Sequence, residues 1–553
     1  MASLGPVADY YNLGGYTRPV TTASPWAQTW VTRGLLWAYA FNHEEAAACF
    51  ERAIEADPGC ALAYWGLAYA LGPNYNKPWE AFDPAEAAAA GPRAREATAA
   101  AQRRAAGAAP AEQALIRALA YRYPADQPGD DGAAWNLAYA GAMREVYREF
   151  SGDLDVAALF ADALMNLTPW ELWDTRTGEP APRAATLEIK EVLERALAEP
   201  GGRSHPGLLH FYIHLMEMSA RPEDALWAGD LLRDLAPDAG HLRHMPSHLD
   251  VLCGDYRRVV TSNRAAIEAD RKFVAERGPM NFYTLYRAHN YHFAIYGAMF
   301  LGQAQAALTA ADELAAAIPA SLLAVQSPPM ADWLEGFVPM RLHVLIRFGR
   351  WEEIIATPLP ADRDLYCVTT ALIHYAKGVA YAASGDVAAA REQRALFTAA
   401  VSRVPATRTI FNNTCQDILA VAAAMLDGEI SYREGRFEAA FGQLRWAVEL
   451  DDGLPYDEPW AWMQPARHAY GALLLEQGRV AEAEAVYRAD LGFDDTLPRP
   501  CQHPGNVWSL HGYHECLTRL GKHELAAVIG QQLTLAAAQA DVPVTASCYC
   551  RRG

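Results

Sequence analysis

The chain has 553 residues, 52% of them hydrophobic and 20% charged, with 47 basic against 66 acidic side chains and a formal net charge of -19. That length and apolar content bury a sizeable core as several domains or one long array, and the acidic balance excludes nucleic acid or an anionic membrane as partner. The opening MASLGPVADYYNLGGYTRP lacks the basic-then-apolar order of a signal peptide and no apolar run is long enough to cross a bilayer, so a cytoplasmic location is expected, with cysteines scattered singly as reduced core residues.

Strand signals are almost absent, and apolar residues recur at helical spacing, so the chain reads as all-α. Residues 34–71, GLLWAYAFNHEEAAACFERAIEADPGCALAYWGLAYAL, alternate small and aromatic positions over successive helices, with Pro58 after the second. Asn42-His43-Glu44 reads as a helix start, and Gly72-Pro73-Asn74-Tyr75-Asn76 as the turn that closes a helix. These N-terminal helices are taken as residues 1–79. An irregular helical insert follows over 80–200, dense in alanine and balanced arginine and acid, with a break at DQPGDDG. Its aromatic loop, Leu167 to Asp174 (LTPWELWD), either covers one end of a groove or wedges between repeats.

From 201 to 553 the chain reads as one continuous array. Turns of the form Gly-polar-(apolar or aromatic) recur at Gly254, Gly302, Gly349, Gly385, Gly435, Gly478 and Gly521, at intervals of 36 to 50 residues. Each joins a helix before it to a helix after it. This unit resembles a tetratricopeptide repeat, whose helix pairs stack into a superhelix with a concave groove.

Histidine is concentrated in one part of this array. The stretch Ser204 to Leu252 holds six of the sixteen histidines, four of them as the His-x-x-x-His pairs His210/His214 and His244/His248. One helical turn separates the members of a pair, so each pair offers two imidazoles on one face, as a helix does for a transition metal. Pro246 marks a helix start inside the second pair, which places His244 just before that helix. Counted back from the turn glycines, with Ala220 standing for the turn that lacks one, ten residues lead to His210, His244, His292, His468 and His511. Six residues lead to His214, His248 and His343. The two offsets differ by four, so both sets share one helix face. Carboxylates accompany them: Glu217 lies one turn beyond His214, and Glu515 follows His511 and His514.

The strings FNHEEAAACF, YWGLAYALGPNYN, HFYIHLME, HMPSHLDVLCGDY, RAHNYHF, DEPWAWMQPARHA, CQHPGNVWSLHGYHE and the terminal SCYC together resemble a His-rich branch of tetratricopeptide-repeat proteins of bacteria and fungi, along nearly the whole chain. The resemblance implies an all-α superhelix and a common purpose for the histidine motifs. The Lys and Asn clamp with which peptide-binding tetratricopeptide domains hold a C-terminal carboxylate is not evident, which argues against a chaperone-adaptor role.

The expected function is therefore a metal-dependent enzyme acting on a small molecule in an aromatic-lined groove. Copper, iron or zinc would be held by imidazoles from His210, His214, His244, His248, His292, His468 and His511. An open coordination site favours oxidative chemistry over hydrolysis, and hydrolysis would call on Glu217 or Glu515 as general base. The alternatives are a scaffold binding a peptide, protein or small ligand, and a metal carrier or sensor. Cys548-Tyr549-Cys550 would serve the carrier if it is not simply a frayed end with two thiols.

Overall fold

The computed structural model describes residues 10–126 and 129–551. The first nine residues of the stretch read for targeting signals, and two residues of the break at 126–132, lie outside the described residues.

The protein is all-α: apart from one pair of two-residue antiparallel strands, Thr409–Ile410 with Asn413–Thr414, the described elements are helices. Local chemistry sets their starts. Ser24 accepts a hydrogen bond from the Ala27 N–H ahead of Pro25–Tyr39, and Asn42 accepts from the Glu45 N–H ahead of His43–Ala56, so each cap satisfies an amide the helix cannot. All seven turn glycines lie in the left-handed region, from +64° at Gly349 to +95° at Gly385, which lets the chain reverse without a Cβ clash. Among the described residues no helix is long and apolar enough to cross a membrane.

One packing device recurs. In Pro25–Tyr39, His43–Ala56 and Ala61–Ala70, the Phe50 ring is gripped between Gly34 and Gly66, where an added Cβ would lie 2.8 and 2.1 Å from it. In Ala466–Glu476, Val480–Asp490 and Val507–Arg519, Gly471 and Gly512 grip Tyr487 in the same way, at 2.5 and 2.3 Å. In both triplets the first glycine precedes the ring by sixteen residues. Successive helices close up because an aromatic ring fills the slot two glycines leave. Gly66→Ala should therefore cost about 1–3 kcal/mol through overpacking, read as a lower urea midpoint. A midpoint equal to wild type would show that the slot is looser than this geometry.

The chain divides into two compact units. The first comprises Met1–Leu249 with Ala265–Tyr283, and the second Asp250–Arg264 with Thr284–Gly553. In the first, the helix Pro206–Glu217 packs against Pro25–Tyr39 and Leu154–Met165. Gly207 makes the close approach possible, since a Cβ there would lie 2.7 Å from the Tyr39 ring. In the second, the C-terminal segment is a packed part of the unit, which corrects the reading of a frayed end. Arg347 donates to the Ser547 carbonyl at 3.1 Å, Arg433 donates to the Cys550 carbonyl, and Cys550 is buried. Cys548 and Cys550 are joined in a disulfide, while the other seven cysteines are in none.

Candidate metal centre

The first unit gathers five histidines, His210, His214, His241, His244 and His248, each no more than 1% exposed. Their rings form a closed circuit. Centroids lie 4.7 Å apart for His210–His214, 5.7 Å for His214–His248, 4.6 Å for His248–His244, 5.8 Å for His244–His241 and 4.9 Å for His241–His210. Aromatic side chains wall the circuit. Phe41 packs on His210, His214 and His241, while Tyr75 and Trp170 pack on His214. Phe41 and Trp170 both hold positive φ, at 54° and 61°, a conformation that side chains other than glycine rarely adopt. The aromatic loop at 167–174 thus packs Trp170 onto His214.

Second contacts fix the orientation of the rings. His210 Nδ1 lies 2.5 Å from the Tyr39 carbonyl oxygen, which only accepts, so this nitrogen carries the proton. Tyr39 is itself anchored, its hydroxyl donating to Asp155 at 2.6 Å. Asp155 also pairs with Arg18 and His205 and is held far below the ordinary carboxylate range: burial opposes this, but those two partners and a Tyr16 hydrogen bond outweigh it. His214 Nδ1 lies 2.8 Å from Glu217 Oε1, and His248 Nδ1 lies 2.5 Å from Glu217 Oε2. One carboxylate, itself fully buried, therefore orients two imidazoles. Burial pushes His214 down to about 3 and His210 well below its ordinary value, so both are neutral at physiological pH and keep a lone pair.

That lone pair sits on Nε2 in both rings, and the Nε2 atoms of His210 and His214 are buried without a hydrogen-bond partner. A buried orphan acceptor costs free energy unless something satisfies it. One ring nitrogen from each of His210, His214 and His241 lies within 4.8 Å of the other two. Neutral imidazoles with Nδ1–H fixed by a carboxylate or carbonyl are the arrangement in which histidine binds zinc, copper or iron.

The other histidines named as ligands from sequence, His292, His468 and His511, belong to the second unit. His292 packs beside Phe337, with both ring nitrogens buried and unpartnered. His468 has both nitrogens committed: Nδ1 accepts from Arg347 at 3.1 Å, and Nε2 donates to Asp490 at 3.0 Å. It therefore has no lone pair to give a metal. His511 is only partly buried and adjoins Glu515. Glu515 is taken up by Arg551 at 2.6 Å and Arg519 at 3.2 Å. Within the second unit, equal position in the repeat leaves these three histidines with different neighbours. Sequence reasoning missed His241, which stands three residues before His244 and belongs to neither four-residue pair. It also missed the Tyr39 carbonyl, a backbone group that leaves no side-chain signal.

Beside the circuit, the first unit holds an open cavity of about 350 Å³ lined by Phe41, Asn42, His43, Lys77, Phe282 and Tyr283 among others. Phe41 therefore faces both the cavity and three of the imidazoles.

Comparison with known proteins agrees with the helical architecture and adds little about the site. The tetratricopeptide repeat family matches residues 27–60, the segment that contains Gly34 and Phe50 of the first glycine–aromatic slot. No curated protein matches the chain. Among solved structures, the one described as "Structure of Naa15/Naa10 bound to HypK-THB" aligns at 15% identity over 93% of this chain and 71% of that one. Its TM-score is 0.20, too low to bear on fold or function.

Proposed function

We propose that this protein is a tetratricopeptide-type binding scaffold whose first unit holds a first-row transition metal ion through His210, His214 and His241. One observation carries the reading: two buried imidazoles have Nδ1–H fixed by Tyr39 and Glu217, and so turn unpartnered Nε2 lone pairs inward beside a third ring. Copper, zinc and iron all accept such a donor set. Helix-pair arrays bind extended protein partners along their faces, and that is the role assigned to the array around the metal. Glu217 acts here as a positioning residue, spent on two Nδ1–H groups.

Catalysis on a small molecule is the second reading. It is favoured by the cavity behind Phe41 and by the coordination position that three imidazoles leave open on a four-coordinate ion.

The test is metal binding by the chelator-stripped protein. Zinc or copper should bind and raise the melting temperature, by the equivalent of about 2.7 kcal/mol when free metal stands at a hundred times Kd. His214→Ala and His210→Ala should abolish that rise, and His511→Ala should keep it. A rise of equal size in all three variants, or none in wild type, would refute the metal site. Exogenous azide or cyanide perturbing the spectrum of bound copper would favour the catalytic reading over a closed site.

A further inference from the structure

Five imidazoles are more than one tetrahedral ion takes, and the circuit divides unevenly. His210, His214 and His241 converge as one set. His244 and His248 form the other, with their Nε2 atoms 2.7 Å apart. The pair sits at a break between two short helices, Gly240–His244 and Pro246–Leu252. Pro246 supplies no amide hydrogen there, and the Ser247 hydroxyl turns back to donate to the His244 carbonyl at 2.6 Å. The backbone thus holds the two rings at 81° to each other with their far nitrogens meeting.

Glu217 decides what His248 offers, and across the 2.7 Å hydrogen bond His244 Nε2 is then the donor, whose proton a bound ion would displace. A carboxylate only accepts, so His248 carries its proton on Nδ1, facing Glu217 Oε2, and its lone pair on Nε2. The same logic gives His214 an Nε2 lone pair through Glu217 Oε1. One carboxylate therefore presets one ligand in each set. A carboxylate or carbonyl behind each ring nitrogen is how metal-binding histidines are held elsewhere.

We propose that His244 and His248 bind a second transition metal ion, making the first unit a two-ion centre in which Glu217 is the shared positioning carboxylate. The proposal rests on the three-histidine site proposed above, and the stoichiometry separates the two. An ion held by two imidazoles keeps positions open for water or a bridging ligand, whereas His210, His214 and His241 fill most of a shell by themselves. The second ion is thus the weaker-bound and more exchangeable of the two.

The experiment is titration of the full-length, chelator-stripped protein with cobalt(II), followed by visible absorption, with zinc content measured in parallel after gel filtration. Two equivalents are expected, bound in distinguishable steps. His244→Ala and His248→Ala should each bind one equivalent while keeping the visible spectrum of the tighter step. His241→Ala should lose the tighter step. One equivalent in wild type, unchanged by His244→Ala, would overturn the second site and leave the first standing. No binding at all would overturn both. Because the wild-type stoichiometry needs no variant, a misfolded variant does not decide the matter.

Discussion

Glu217→Gln is expected to weaken metal binding by at least tenfold and as much as a hundredfold, with helical content unchanged. The reason is a count of donors. In the native site both carboxylate oxygens accept, Oε1 from His214 and Oε2 from His248. Glutamine offers one oxygen and one NH2 group, so it satisfies one Nδ1–H and meets the other donor to donor. That second ring must move its proton to Nε2, where the proton occupies the lone pair a metal needs. Glu217→Ala removes both acceptors and leaves two Nδ1–H groups buried, each at about 1–3 kcal/mol. It should therefore lose both metal affinity and stability, whereas the glutamine variant loses chiefly affinity. Competition against a chelator of known affinity, run beside urea denaturation, distinguishes the two. A glutamine variant with wild-type affinity would show that Glu217 does not set the tautomers.

Much of this was readable from the sequence, and the parts that were not have identifiable causes. The helical period and the seven turn glycines were legible because each glycine answers a local requirement, a positive φ at a helix end. The His210/His214 and His244/His248 pairs were legible because four residues is a fixed offset on a helix. His241 was invisible: it joins the cluster through the fold, its ring lying 4.9 Å from His210 in a different helix. The Tyr39 carbonyl, 171 residues before His210 in the chain, was invisible for the same reason. The repeat register misled at His468, because equivalent positions in successive repeats meet different neighbours. There Arg347 and Asp490 take both ring nitrogens, including the Nε2 that His210 and His214 leave unpartnered. The tail was misjudged because two cysteines near a terminus carry no sign of the groups that hold the segment, Arg347 and Tyr487 on Ser547 and Arg433 on Cys550.

The largest loss of stability is expected from Asp490→Ala in the second unit, about 3–5 kcal/mol at pH 7. This carboxylate is fully buried and accepts from four side chains: His468 Nε2 at 3.0 Å, His503 Nδ1 at 2.8 Å, Asn506 Nδ2 at 3.1 Å and the Ser509 hydroxyl at 2.6 Å. Removing it orphans four buried donors and leaves the nearby Arg347 guanidinium without a counter-charge, against a total folding stability on the order of 5–15 kcal/mol. Burial by itself would raise this carboxyl, but the two imidazoles and their hydrogen bonds outweigh it and hold Asp490 well below the usual range. A depressed folded pKa gives stability that is fully present above the unfolded value of about 3.9 and is lost as pH falls through the folded value. The gap between wild type and variant should therefore be full at pH 7 and shrink below about pH 4. His468 adds an acid sensitivity of its own, since burial lowers it to about 4. Between its unfolded value of about 6.5 and that folded value, the unfolded chain takes up a proton the folded one refuses, costing about 1.4 kcal/mol per pH unit. Urea denaturation of wild type and Asp490→Ala at pH 7, 5 and 3.5 measures both terms. A variant within about 1 kcal/mol of wild type at pH 7 would mean that water or a rearranged side chain replaces the carboxylate, and that the network does not hold the C-terminal helices together.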